Sequence, residues 1–279
     1  MPYFADLSFK SILPSMQGLR SPSRLTLVAA LPVALGTAYV LYIRHTISRQ
    51  VSSTHGIRFP KSMKEGKQST FPDNVELPSG IPQAVAEEGS EYILSFERIV
   101  SRPIPASLLA FPLPGLDGSP SELLTRYVRT TMKKFAWTPQ AFILRAMVGE
   151  EAKRTFDTSA IDAMDFASPH RVAGVYCVAN RSATSQGTGD QVTIYLSPPE
   201  GYHGPVVQGL IVTKAERVNS GSSESSSKEH DAVVFVNETW LWRTPDEKPT
   251  LLEVGSSRSF HTFIISRMVI AAISSVRKH

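Results

Sequence analysis

The chain carries one cysteine in 279 residues, Cys177, so it forms no internal disulfide and offers no multi-cysteine zinc site. That thiol lies in the strand-like run VAGVYCVAN, where it reads as a small buried hydrophobe. Several signatures of chemistry are missing as well. There is no glycine-rich phosphate loop, no G-x-S-x-G elbow, no H-E-x-x-H and no cysteine or histidine cluster at metal-ligand spacing. Nucleotide hydrolysis, a serine hydrolase of the usual kind and zinc catalysis are therefore disfavoured, and no cofactor is expected. Charge is also scarce, at 19% of residues with a net value of +4. Nucleic-acid binding would call for a basic patch interleaved with exposed aromatics, and no such patch is present.

The longest uncharged run is Leu25 to Ile43, nineteen residues closed by Arg24 and Arg44. As a helix it would span roughly 28 Å, close to the ~30 Å hydrocarbon thickness of a bilayer. Pro32 and Gly36 are tolerated in such a helix, and Tyr39 and Tyr42 suit the interface. The expectation is one transmembrane helix at 25–43, after a tail at 1–24. Lys10, Arg20 and Arg24 before it stand against Arg44, Arg49, Arg58, Lys61 and Lys64 after it, a bias for a cytoplasmic C-terminal domain. The basic residues that follow also suit anionic lipid headgroups. Two sequons, at Asn180 and Asn237, would accept glycans if the domain were lumenal, and the acid-poor first 24 residues leave a mitochondrial address open.

From 44 to 90 the chain is rich in Ser, Lys, Gly and Pro, and Pro60, Pro72, Pro78 and Pro82 forbid a long regular element. This stretch reads as a flexible tether. The folded domain is placed at 91–279. It opens with a strand in which Tyr92, Leu94 and Phe96 alternate with Ile93, Ser95 and Glu97. Ser119, Pro120 and Glu122 then form a capping box for a helix whose apolar stripe is Leu124, Tyr127, Val128, Thr131, Met132 and Phe135. Thr138-Pro139 starts a second helix to about Met147, and Ser159–Phe166 is a third candidate.

Four strand-like runs follow, RVAGVYCVAN, QVTIYLS, VVQGLIVTKAERV and DAVVFVNETWLWR, joined by connections without helical patterns. The Ser-rich stretch 219–230 reads as a solvated insertion between the last two. Val234, Val236, Trp240 and Trp242 face one way and Val233, Phe235 and Leu241 the other, so one face is expected to meet the helices and the other needs a cover or a ligand. The last element, Ser259–Val276, includes Arg267 and reads as a helix buried across the sheet. The fold class is α+β: a curved antiparallel sheet, helices on one side, and a long C-terminal helix.

The strand pair followed by Ser259-Phe260-His261-Thr262-Phe263-Ile264-Ile265 in a terminal helix resembles the START/polyketide-cyclase-like (SRPBCC, helix-grip) superfamily, over about Glu91 to Val276 and with an N-terminal membrane anchor added. The resemblance implies a hydrophobic small molecule held between sheet and C-terminal helix, and in some members cyclisation or hydrolysis there.

His261, beside Phe260 and Phe263, is the candidate base. Arg267, six residues on, faces away from it along a helix; Arg267 and Arg171 are candidate polar partners. Tyr176, Trp240, Trp242, Phe260 and Phe263 are candidate ligand contacts. His170 and His203 could rim a cavity, and Asp162, Asp165 and Glu238 are carboxylates whose role depends on burial. Three functions fit these features. The first is a membrane-anchored binding protein for a lipid or polyketide-like molecule. The second is an accessory cyclase or release enzyme of secondary-metabolite biosynthesis, and the third a non-catalytic membrane assembly protein with a protein partner.

Overall fold

A computed structural model of the chain describes residues 24–63, 69–72, 75–115, 119–167, 169–184, 187–219 and 231–278, without the side chains of 24–34, 36 and 219. The N-terminal tail before Arg24 and the heart of the Ser-rich insertion, 220–230, lie outside these residues. Contacts divide the chain into two units, Met1–His45 and Thr46–His279.

In the first unit, the expected span 25–43 falls within helix α1, Arg24–Gln50. Many of its side chains lie outside the described residues. Of those described, Leu35, Tyr39, Val40, Leu41 and Tyr42 are exposed and Ile43 is buried.

The second unit is built on one antiparallel sheet. Its strands are β1 (Val51–Arg58), β2 (Ile93–Ser101), β3 (Ile104–Pro105), β4 (Arg171–Val172), β5 (Tyr176–Ala183), β6 (Gly189–Leu196), β7 (Gln208–Asn219) and β8 (Asp231–Arg243). They lie in the order β1-β2-β8-β7-β6-β5-β4, and the short β3 pairs with β8. The long β8 is central because it is apolar on both faces, with almost every residue from Ala232 to Arg243 buried.

Two long helices close the inner face. Helix α3 (Glu122–Phe135) buries Leu124, Tyr127, Val128, Thr131, Met132 and Phe135, the stripe its sequence spacing predicts. Tyr127 stacks on Phe235 of β8, centroids 4.3 Å apart. Helix α7 (Gly255–Val276) buries Met268, Val269, Ala272, Ile273 and Val276 and joins α3 through the Thr130–Ser275 hydroxyl hydrogen bond of 2.9 Å. Among the described residues, α7 is the helix long and apolar enough, by length and composition, to cross a membrane. Short helices α4 (Pro139–Met147), α5 (Glu150–Arg154) and α6 (Thr158–Ala163) follow α3.

The cap of α3 is Ser121 and not Ser119. Its hydroxyl accepts the Leu124 amide at 3.2 Å and donates to Asp190 of β6 at 2.8 Å. The same carboxylate takes the Ser121 amide and a buried ion pair with Arg181, both at 2.8 Å. A tertiary anchor, which the sequence spacing does not show, therefore fixes the cap two residues beyond the expected Ser119.

The larger correction concerns the expected tether 44–90, whose described residues from Val51 on belong to the folded unit. Strand β1 pairs with β2 along its whole length, from Val51↔Ser101 to Arg58↔Leu94. Beyond it, Phe71, Val75, Leu77, Ile81 and Val85, the last within the one-turn helix α2 (Gln83–Ala86), lie on the outer face of the sheet. There they cover Leu94, Phe96, Leu210, Val212, Trp240 and Trp242. Tyr195 fastens this cover by donating to the Gly80 carbonyl at 2.6 Å, and Arg58 by donating to the carbonyls of Val85 and Ala86. The prolines prevent regular structure here, but an irregular chain buries apolar side chains just as effectively. The sheet is thus covered on both faces, not on one.

Candidate functional site

Between the inner face of the sheet, α3 and the first half of α7 lies a cleft with about 60 Å³ of free space. Its floor is buried and mostly apolar, with Val128, Met132, Phe135, Tyr176, Leu241 and Met268. Half-buried Gln140, Leu196, Leu251, His261 and Ile265 stand on its open side. The strands contribute polar groups to this apolar wall: Thr213 from β7, and Asn237 and Thr239 from β8. Burying such groups is unfavourable unless each finds a hydrogen-bond partner. Asn237 is satisfied on one side, where its Oδ1 accepts the Tyr127 hydroxyl at 2.9 Å. Its amide nitrogen takes no partner among the described residues.

The most polar point of the cleft is where α7 meets β2. The sheet register directs Ile93, Ser95, Glu97 and Ile99 to the inner face, which puts a carboxylate under the start of α7. Glu97 is 2% exposed. One oxygen lies 2.7 Å from Nδ1 of His261, and the other accepts the Thr262 hydroxyl. Where Nδ1 donates to the Glu97 oxygen, a neutral imidazole leaves Nε2 as an acceptor. Nε2 has no protein partner among the described residues. His55 of β1, an exposed residue, pairs with Glu97 through the backbone, and its imidazole is held below its ordinary value. Partial burial is the main cause, aided by the charge of Arg258 and opposed by Glu97. Deeper in, burial raises the titration of the Tyr127 and Tyr176 phenols well above the ordinary range, so both remain neutral.

Of the residues singled out from sequence, His261 and Tyr176 line the cleft together. Trp240 and Trp242 do not, because the even-numbered positions of β8 point to the outer face, where Trp240 stacks on Phe96 and Trp242 donates to Gln208. Phe260 is exposed. Phe263 and Arg267 line a different, open groove with Lys134 and Ile264. Arg171 donates to the carbonyls of Gly174 and Ser197, a role in holding loops. Neither arginine therefore partners His261; Glu97 does. Asn180 is exposed, whereas Asn237 faces the cleft.

Glu238 is buried on the outer face, where it pairs with Arg98 and Lys214 and accepts the Trp240 indole N–H. Asp162 and Asp165 pair at the surface with Lys133 and His170. Among the described residues no group of three or more His, Cys, Asp or Glu is disposed to hold a metal ion.

Sequence reasoning missed Glu97, Thr213, Thr239 and Thr262. The available signal was Glu97 itself, a lone charge at an inner-face position of a strand otherwise buried on both sides. No protein-family model, curated protein or solved structure matches this chain.

Proposed function

We propose that this chain is a membrane-anchored binding protein for a small molecule with an apolar body, taken up in the cleft between sheet and C-terminal helix in the manner of a helix-grip domain. The observation that carries the reading is the cleft wall: an apolar surface on which Thr213, Thr239, Asn237 and His261 converge, with one hydrogen-bonding side of Asn237 unused. A few placed polar groups in an apolar concavity are the usual composition of a ligand site.

Pockets for drug-sized ligands hold about 300–1,000 Å³. The 60 Å³ available here admits a compact group, and a larger body requires the open side near Leu251 and Ile265 to yield.

Membrane attachment is supported by the exposed apolar residues of α1, since Leu35, Val40 and Leu41 lie around the helix and leave apolar side chains in water on more than one side. The Lys/Arg balance around 25–43 favours the folded unit on the cytoplasmic side.

Two methionines on the cleft floor provide the test. In the full chain labelled at methionine methyls, titration with indole shifts the Met132 and Met268 signals saturably and leaves Met147 unmoved. Thr239→Leu, which fills the cleft, abolishes the shifts. Equal shifts at all three methyls, or none at the floor, would overturn the reading.

A further inference from the structure

We propose that the cleft is catalytic: His261 Nε2 acts as general base toward a ligand that bears hydrogen next to a carbonyl group, with Glu97 positioning the imidazole and Asn237 holding the carbonyl oxygen. This rests on the reading of the cleft as a ligand site. The first support is the pair itself. Glu97 is sealed at 2% exposure, and its two oxygens take Nδ1 of His261 and the Thr262 hydroxyl. A buried carboxylate is a costly way merely to fasten a helix to a strand, and a neutral or apolar pair would do so at less cost. What the carboxylate adds is a fixed tautomer and ring orientation, and a counter-charge for the imidazolium formed when Nε2 takes a proton.

The second support is the neighbour. In the sheet register Glu97 lies opposite Thr239 and Ile99 opposite Asn237. Asn237 is thus the diagonal neighbour of Glu97, at about 7–8 Å. A carbonyl-bearing ligand in the cleft would meet both the imidazole of His261 and the Asn237 amide, since both line it. Tyr127 donates to Asn237 Oδ1, which turns the amide nitrogen, a donor only, toward the cleft.

In the step, the C–H bond next to the carbonyl breaks and Nε2–H forms. The electron pair passes through the new C=C bond to the carbonyl oxygen, which the Asn237 amide stabilises as an enolate. Delivery of the proton to the oxygen gives the enol, and delivery to the opposite face of the carbon inverts it, with no oxidant, reductant or second substrate.

The probe is pentane-2,4-dione, small enough for the cleft, with the full chain and its variants. Its enolisation is followed by ultraviolet absorbance and its binding by the Met132 and Met268 methyls. Wild type is expected to accelerate enolisation saturably. His261→Gln, which retains a donor for Glu97, is expected to lose about 10²-fold of that rate while the dione still shifts the floor methyls saturably and the thermal midpoint is unchanged. Glu97→Gln lowers kcat with KM unchanged, and nitrogen correlation spectra of the wild type place the His261 proton on Nδ1. Binding without a rate dependent on His261, or a proton on Nε2, overturns the catalytic proposal and leaves the ligand site standing. Failure of the dione to bind overturns the catalytic proposal, and if indole also fails to shift the floor methyls, the ligand-site reading falls with it.

Discussion

Trp240 stacks on Phe96 with ring centroids 4.9 Å apart and planes 20° from parallel, on the face of the sheet turned away from the cleft. Phe71, from the segment before β2, leans on both rings at 4.9 and 6.0 Å. The aromatic core of the outer face is therefore assembled from three stretches far apart in sequence.

Trp240→Ala is predicted to destabilise the full chain by about 3–5 kcal/mol, the range for emptying a buried large aromatic site. Urea denaturation measures it. Because the cleft lies on the other face, indole binding in the folded variant stays as in wild type. A chain beginning at Glu91 loses β1 and the cover, leaves Leu94, Phe96, Trp240 and Trp242 bare, and is expected to aggregate.

The buried pair Arg181–Asp190 ties β5 and β6 to the start of α3. Asp190→Ala leaves the Arg181 guanidinium without its counter-charge and Ser121 without its anchor, a loss of about 3–5 kcal/mol by denaturant titration. The double variant Arg181→Met with Asp190→Leu recovers part of that loss, since both charges then leave the interior together.

Glu253 forms a two-pronged pair with Arg243 at 2.7 and 2.8 Å. Burial alone would raise its titration, but the hydrogen bonds from Arg243 and Thr250 outweigh burial and hold it below the ordinary 4.5. The folded state thus keeps the carboxylate ionised where the unfolded state would protonate it. Its contribution is complete above about pH 4.5 and disappears as pH falls through the lower folded value. Stability measured from pH 7 to 3 should show the difference between wild type and Glu253→Gln shrinking below pH 4.5; a constant difference would contradict this.

Much of the inner architecture was legible because it follows from local periodicity. The stripe of α3, the Thr138-Pro139 start of α4 and the alternation along β7 and β8 are each visible within a dozen residues. Strand β1 was not, since VSSTHGIR has apolar residues only at Val51 and Ile57 and its central residues are exposed, as suits a polar sheet edge. The cover at 71–85 was hidden for the opposite reason: its apolar residues are too sparse to show a period, and only the outer face of β2, β7 and β8 gives them a purpose. In the site, His261 stood out for its chemistry alone. Its partner Glu97 is 164 positions away, and that pairing depends on the β2 register, which no local pattern encodes.

If the folded unit is on the cytoplasmic side, as proposed, Asn180 and Asn237 stay unmodified, and endoglycosidase treatment of membranes leaves the mobility of the chain unchanged. A shift that disappears in Asn180→Gln would place the unit in the lumen. Asn237 is 7% exposed and engaged by Tyr127, so the folded chain has no room for a glycan there.

Native mass spectrometry of the full chain, extracted from its own cells in mild detergent, tests the ligand site most directly. The account predicts a co-purifying small molecule of constant mass on the wild type and its absence from Thr239→Leu, in which the added branch occupies the 60 Å³ of free space. A bare polypeptide mass in both, or an adduct retained unchanged by Thr239→Leu, would contradict it.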